Sequence, residues 1–238
     1  MSIKIGHASI DERGKASGGA AGDQTGREVC IRFWYNKPWD YYIDCTDEKL
    51  ADKAATYMEQ ICCNSNVGYD QGQRLTMYNA IKANGNQVLG IGKCETDCSA
   101  LVAACYIFAG LNINPSCTTR NLQSALTATG KFKVYSDSKY VDSGQFAKRG
   151  GIYLKEGIHV VMVLENGGRS TYANKESYYK KCDIKYNSIV DALTSIGVNC
   201  SKENRTKIYS KNFSDAYKGT SSQNIVLLNL LKVGKLKK

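Results

Sequence analysis

The sequence predicts an α+β domain followed by a small helical one, on three observations. Polar, turn-like Glu95-Thr96-Asp97 leads into Cys98-Ser99-Ala100-Leu101-Val102-Ala103-Ala104-Cys105, where small and apolar side chains recur at helical spacing. Val29-Cys30-Ile31-Arg32-Phe33-Trp34-Tyr35, Phe132-Lys133-Val134-Tyr135 and Ile158-His159-Val160-Val161-Met162-Val163-Leu164 have the β-branched and aromatic content of strands. Past Asn174 the composition shifts to charged and tyrosine-rich, without an apolar period, before three short helical patterns close the chain.

The elements follow in order. The first forty residues, with Gly18-Gly19 and the Gly22-Asp23-Gln24-Thr25-Gly26 cluster, read as loop wrapped on a core. Trp34 and Trp39, flanking Asn36-Lys37-Pro38, are candidates for one wall of a substrate cleft, with core aromatics as the alternative. From Thr46-Asp47-Glu48 onward a capped start leads into an amphipathic helix with Leu50, Ala54, Tyr57, Met58 and Ile61 on one face. Gly68-Tyr69-Asp70-Gln71 is expected to open a second helix reaching about Lys82. Thr118 to Leu126 reads as a capped helix, and Ser136 to Gly151 as mostly polar loop.

Cys98 sits at a helix start, where free N–H groups and the positive end of the helix dipole bias a thiol towards thiolate, the form that attacks carbonyls. A nucleophile needs a base, and the chain has two histidines, His7 and His159. His159, leading a strand, is the better placed; a core cysteine and a satisfied structural histidine are the plain alternative. Downstream, Glu165-Asn166-Gly167-Gly168 carries a strong hairpin signal. With Asn166 and Gly167 as turn residues, His159 pairs with Asn174, at a cross-strand Cβ separation of about 4.5 to 5.5 Å. Asn174 is thus the candidate orienter of the imidazole in a Cys-His-Asn arrangement, with a surface asparagine of no role as the plain alternative.

Asp97-Cys98-Ser99-Ala100-Leu101-Val102 before a helix and His159-Val160-Val161-Met162-Val163 along a strand resemble the NlpC/P60 family of papain-like peptidoglycan endopeptidases. Gly6-His7-Ala8-Ser9-Ile10-Asp11-Glu12, Gly22-Asp23-Gln24-Thr25-Gly26 and Trp34-Tyr35-Asn36-Lys37-Pro38-Trp39 look like the opening of its endolysin and prophage-hydrolase branch. The chain departs from the family in carrying Ile158 directly before the histidine and Gly150-Gly151 at the start of the preceding strand. The resemblance implies a central helix bearing Cys98 packed on an antiparallel sheet, with Asp97 and Ser99 beside the substrate. It also offers Thr171 as an alternative orienter, and a tyrosine facing the reacting carbonyl, for which Tyr69 is the candidate. The implied division is a catalytic domain at 1–178, a linker at 179–185 and a three-helix domain at 186–238.

The tail patterns are Ile189 to Ile196, ended by Gly197; Ser201 to Ser210; and Ser222 to Leu231, ended by Gly234. Residues 183–238 hold ten Lys plus Arg against four Asp plus Glu, more than half of the net +10. The tail resembles a small module that recurs behind catalytic domains of phage endolysins from Gram-positive hosts, which implies wall binding. A unit this small leaves apolar surface that self-association would cover, so a homo-oligomer through the tail is an expectation.

Composition bounds the rest. Two prolines and 22 glycines argue against a disordered or collagen-like chain. No apolar run reaches the roughly 18 residues of a membrane span and no signal-peptide core opens the chain, so the expectation is no membrane partner, synthesis in the cytoplasm and release to the wall at lysis. Ten cysteines without a secretory signal are expected as free thiols. Cys62-Cys63 and Cys94-x3-Cys98 do not make a matched zinc pattern, so no metal or other cofactor is expected. The net +10 asks for an anionic partner. Dispersed basic residues without a nucleic-acid-binding motif favour wall polymers over nucleic acid. The expected function is a cysteine-dependent peptidoglycan endopeptidase, an endolysin acting through an acyl-enzyme. The alternatives are an N-acetylmuramoyl-L-alanine amidase on the same fold, a non-catalytic wall-binding phage protein, and a zinc-stabilised nucleic-acid binder.

Overall fold

The computed structural model describes residues 3–170 and 178–238. Contacts divide the chain into two compact units, Met1–Tyr172 and Ala173–Lys238. The first unit is α+β, with strands β1 (Lys4–Ala8), β2 (Val29–Phe33), β3 (Tyr41–Cys45), β4 (Val67–Tyr69), β5 (Cys94–Thr96), β6 (Phe132–Tyr135), β7 (Ile152–Lys155) and β8 (His159–Val163). Its helices are α1 (Glu48–Cys62), α2 (Thr76–Ala83), α3 (Cys98–Ala109), α4 (Leu122–Thr127) and the single turn α5 (Ser138–Val141).

Six strands form an antiparallel sheet in the order β2-β1-β8-β7-β3-β6, while β4 and β5 form a separate parallel pair. One core lies where α1 and α3 pack on the sheet, uniting Ala54, Met58, Ile61, Leu101, Val102 and Cys105 with Ile43, Val160 and Met162. The opposite sheet face carries a second cluster around Ile5, Trp39, Tyr42, Tyr153, Val161 and Val163. Both faces of β8 are therefore covered, so the strand reads as a continuous apolar run. Eleven of the twelve residues of α3 are buried, as an all-round apolar helix requires. Gly6 lets α1 approach β1 closely, since a Cβ there would lie 2.4 Å from Met58 Cγ.

Three expectations are corrected here. The amino-terminal stretch is not all loop: Lys4–Ala8 is an inner strand between β2 and β8. Gly68 and Tyr69 do not open a helix; they end β4, and the helix begins only at Thr76. The hairpin at Asn166-Gly167 does not form, because β1 and β7 already occupy both edges of β8. Asn166 Oδ1 instead accepts from Arg149 N at 2.7 Å, and Gly167 N donates to Ala147 O at 2.8 Å. A Cβ on Gly167 would lie 2.1 Å from Gly144 O, so glycine serves close docking there.

The second unit contains α6 (Ile189–Ser195), α7 (Lys202–Asn212) and α8 (Ser221–Val233), each capped by a serine or threonine side chain. Its core joins Ile189, Leu193, Ile208, Tyr209, Leu227, Leu231 and Leu236. The expected linker at 179–185 belongs to this unit: Cys182 is buried in the same core and Tyr179 N donates to Leu236 O at 2.9 Å. Among the described residues no helix is long and apolar enough to cross a membrane.

Candidate active site

Cys98 is the first residue of α3, and Asp97 caps that helix by accepting from Ala100 N at 2.7 Å. Asp97 and Ser99, expected beside the substrate, are engaged by Arg74. Its guanidinium donates to both Asp97 carboxylate oxygens at 2.6 and 3.1 Å, to Ser99 Oγ at 2.9 Å and to Cys117 O at 2.6 Å. Those polar groups fix the helix start. Sequence reasoning had not singled out Arg74, an exposed-type residue on the approach to a short helix.

The Cys98 thiol meets β8 at the backbone N–H of Val160, the residue after His159; this contact and the Ser99 N–H favour the thiolate. They are outweighed. Burial, and after it the Asp97 charge, push the thiol up to about 12. The expected bias towards thiolate is thus reversed by desolvation, and the resting sulfur carries its proton.

His159 opens β8 and is 8 % exposed. Burial, helped by Lys37 and Arg32, lowers its pKa to about 4, so the imidazole is neutral. Its neighbour is the chain's other histidine. His7 Nδ1 lies 3.4 Å from His159 Nε2, with the rings edge-on at 81°. The sheet makes this meeting: β1 pairs with β8 through Ile5↔Val163 and Gly6↔Met162, which sets His7 and His159 diagonally on one face. Burial, and then His159, Arg32 and Lys37, lower His7 to about 3. Beyond His7 stands Cys30, its direct cross-strand partner on β2, with Sγ 3.6 Å from His7 Nε2. Sequence reasoning passed over His7 as base and Cys30 altogether. The alternation Ile3, Ile5, His7 was the available signal.

Trp39 is not a cleft wall. It is 3 % exposed, its indole stacks on His159 at 6.2 Å between centroids, and Nε1 donates to Tyr35 O at 3.1 Å. Trp34 is half-buried and meets Tyr153 edge-on. Tyr69 comes close to Cys98 through the parallel ladder, in which it pairs with Thr96. Burial and then the Cys98 charge raise its phenol to about 12, and its hydroxyl accepts from Gln71 Nε2 at 3.0 Å. Glu28 holds Tyr69 in place by accepting from its backbone N at 3.1 Å, and takes Gln24 N at 2.8 Å with the other oxygen. Gly22 N to Glu95 at 2.8 Å and Gly18 N to Asp70 at 2.7 Å fasten the same loop. Asn174 and Thr171 lie outside the described residues. All ten cysteines are free thiols. Among the described residues no group of three or more His, Cys, Asp and Glu side chains is arranged to hold a metal ion.

Residues 5–170 match the family model of the endolysin-like domain. The chain belongs to that family. An endolysin-like domain implies a phage cell-wall hydrolase with peptidoglycan as its substrate, and the matched span contains Cys98, His159, His7 and Cys30. No curated protein and no solved structure matches the chain. The endolysin-like domain ends close to the boundary at Tyr172, so the helical unit lies outside the match.

Proposed function

We propose that the chain is a cysteine-dependent endopeptidase of the papain-like NlpC/P60 type, cleaving stem-peptide bonds in Gram-positive walls. The observation that carries this reading is the pairing of the chain's two histidines at 3.4 Å, beside a helix-start cysteine that meets the same strand one residue further on. Cys98 is the nucleophile. With Nε2 of His159 facing His7, Nδ1 is the nitrogen left to take the thiol proton.

Because thiol and imidazole are both neutral at rest, proton transfer accompanies attack on the carbonyl. The imidazolium so formed keeps a partner, its Nε2–H donating to His7 Nδ1. His7 thereby takes the orienting role expected of Asn174 or Thr171. Asp97 already caps Ala100 N and the Ser99 N–H faces the sulfur, so the Cys98 N–H at the positive end of α3 is the one able to receive the oxyanion, with the Tyr69 hydroxyl as a further donor. Collapse expels the amine, which takes the proton from His159, and water then hydrolyses the thioester.

The second unit, with its basic surplus, is the wall-binding module in this proposal. Mass spectrometry of fragments released from purified host walls tests the whole reading. Cleavage between D-iso-glutamate and the third stem residue, abolished in Cys98→Ala, is expected. Release of free lactyl-muramic ends would identify an amidase instead, and undiminished lysis by Cys98→Ala would remove the cysteine mechanism.

A further inference from the structure

The proposed base depends on which nitrogen of each histidine carries the proton, and the hydrogen-bond chain behind His159 decides this. To accept from Cys98, His159 must keep Nδ1 bare and carry its proton on Nε2. That proton can only be received if His7 Nδ1, 3.4 Å away, is bare as well. His7 must then carry its own proton on Nε2, which faces Cys30 Sγ at 3.6 Å. The sulfur is free to accept, because its own S–H has an acceptor in Arg27 O at 3.5 Å. Each donor in the row thus has one acceptor, and the direction runs from His159 through His7 and Cys30 to the backbone.

Resting on the cysteine-hydrolase reading, we infer that Cys30 is a positioning residue: its sulfur accepts from His7 Nε2–H and so holds both histidines in the tautomers that leave His159 Nδ1 able to deprotonate Cys98. The opposite order would have Cys30 donate to His7 Nε2 and His7 Nδ1–H donate to His159 Nε2. It would put a proton on His159 Nδ1 and block the base. The position suits the role, since Cys30 lies on the sheet's edge strand, half-buried, as the direct cross-strand partner of His7. A hydroxyl there could make the same two bonds; a methyl group could make neither.

The test compares Cys30→Ala, Cys30→Ser and Cys98→Ala in the full chain on soluble muropeptides, with imidazole 15N spectra of the wild type. Only two histidines contribute to those spectra. Cys30→Ala should lower kcat about two- to tenfold, the worth of one hydrogen bond, with KM unchanged. Cys30→Ser should recover most of the loss. The spectra should show protonated Nε2 and bare Nδ1 at both rings. Full kcat in Cys30→Ala, a serine variant as slow as the alanine, or a protonated Nδ1 on His7 would each overturn the inference. Cys98→Ala separates the two failures: if it is inactive while Cys30→Ala is unimpaired, only the role of Cys30 falls, and if it is active the reading beneath falls too. The wild-type spectra decide the tautomers even if a Cys30 variant does not fold.

Discussion

At the scale of single residues, burial rather than the helix dipole sets the protonation of the site. A rate that needed a preformed thiolate–imidazolium pair would lose activity on the acid side as the thiolate is protonated. Here a neutral His159 is the requirement, so the acid limb of kcat/KM should fall near pH 4 rather than near 6.5, as read from a pH–rate profile on soluble muropeptides. Stability should follow the same groups. Both histidines have folded pKa values below their ordinary 6.5, so the unfolded chain binds protons that the native one refuses. Their stabilising contribution is complete above pH 6.5 and should be lost as pH falls from there to about 3, which denaturant melts across that range would follow. Glu95 runs the other way. Burial raises its carboxyl to about 7, and among the described residues Oε2 has no hydrogen-bond partner. Its cost appears as pH rises from about 4.5 through 7, so Glu95→Gln should raise the melting temperature at pH 8 more than at pH 5. The orienter is testable at this scale as well: His7→Ala should lower kcat on soluble muropeptides more than Asn174→Ala does, and the reverse order would return the role to Asn174.

At the scale of elements, local chemistry made the helices readable and non-local chemistry hid the strands. Asp47 caps α1 through Leu50 N, the start expected from Thr46-Asp47-Glu48, and the tail helices stop beside Gly197 and Gly234 as their patterns indicated. Cys98 at a helix start and His159 at a strand start were legible for the same reason. The strand order was not legible, because it is set by pairing across 150 residues, and no local pattern announces that Lys4–Ala8 inserts between β2 and β8. His7 therefore escaped notice as a neighbour of His159, and Asn166-Gly167 was misread because a close backbone approach selects glycine as strongly as a turn does. Tyr69 lies 29 residues before Cys98 in the chain, and the parallel β4–β5 ladder, which pairs it with Thr96, brings it near the thiol. The start of α3 depends on Arg74, whose side chain reaches Asp97, Ser99 and Cys117 at once. Arg74→Ala leaves the buried Asp97 carboxylate unpaired and should cost about 3 kcal/mol or more of unfolding free energy by denaturant titration, with loss of activity following the misplaced cysteine.

At the scale of the whole molecule, the two units have separate cores, and each proposed catalytic group lies in the first. The second holds a large share of the positive charge in a small span, ten basic against four acidic residues over 183–238. Chemistry and retention on the wall should therefore come apart. A chain ending at Tyr172 should cut soluble muropeptides at close to the full-length rate while binding whole walls less well, as measured by co-sedimentation. The piece from Ala173 onward should bind walls without releasing fragments. Part of that binding should weaken with salt, since exposed charges more than about 10 Å apart are screened at 0.1 M. A salt-resistant remainder on host walls, absent on walls of unrelated bacteria, would mark specific recognition by the helical unit. Complete release in salt from every wall alike would reduce the unit to a basic anchor. Unchanged whole-wall affinity after truncation would move targeting into the α+β unit, where half-buried Trp34 is the first side chain to replace.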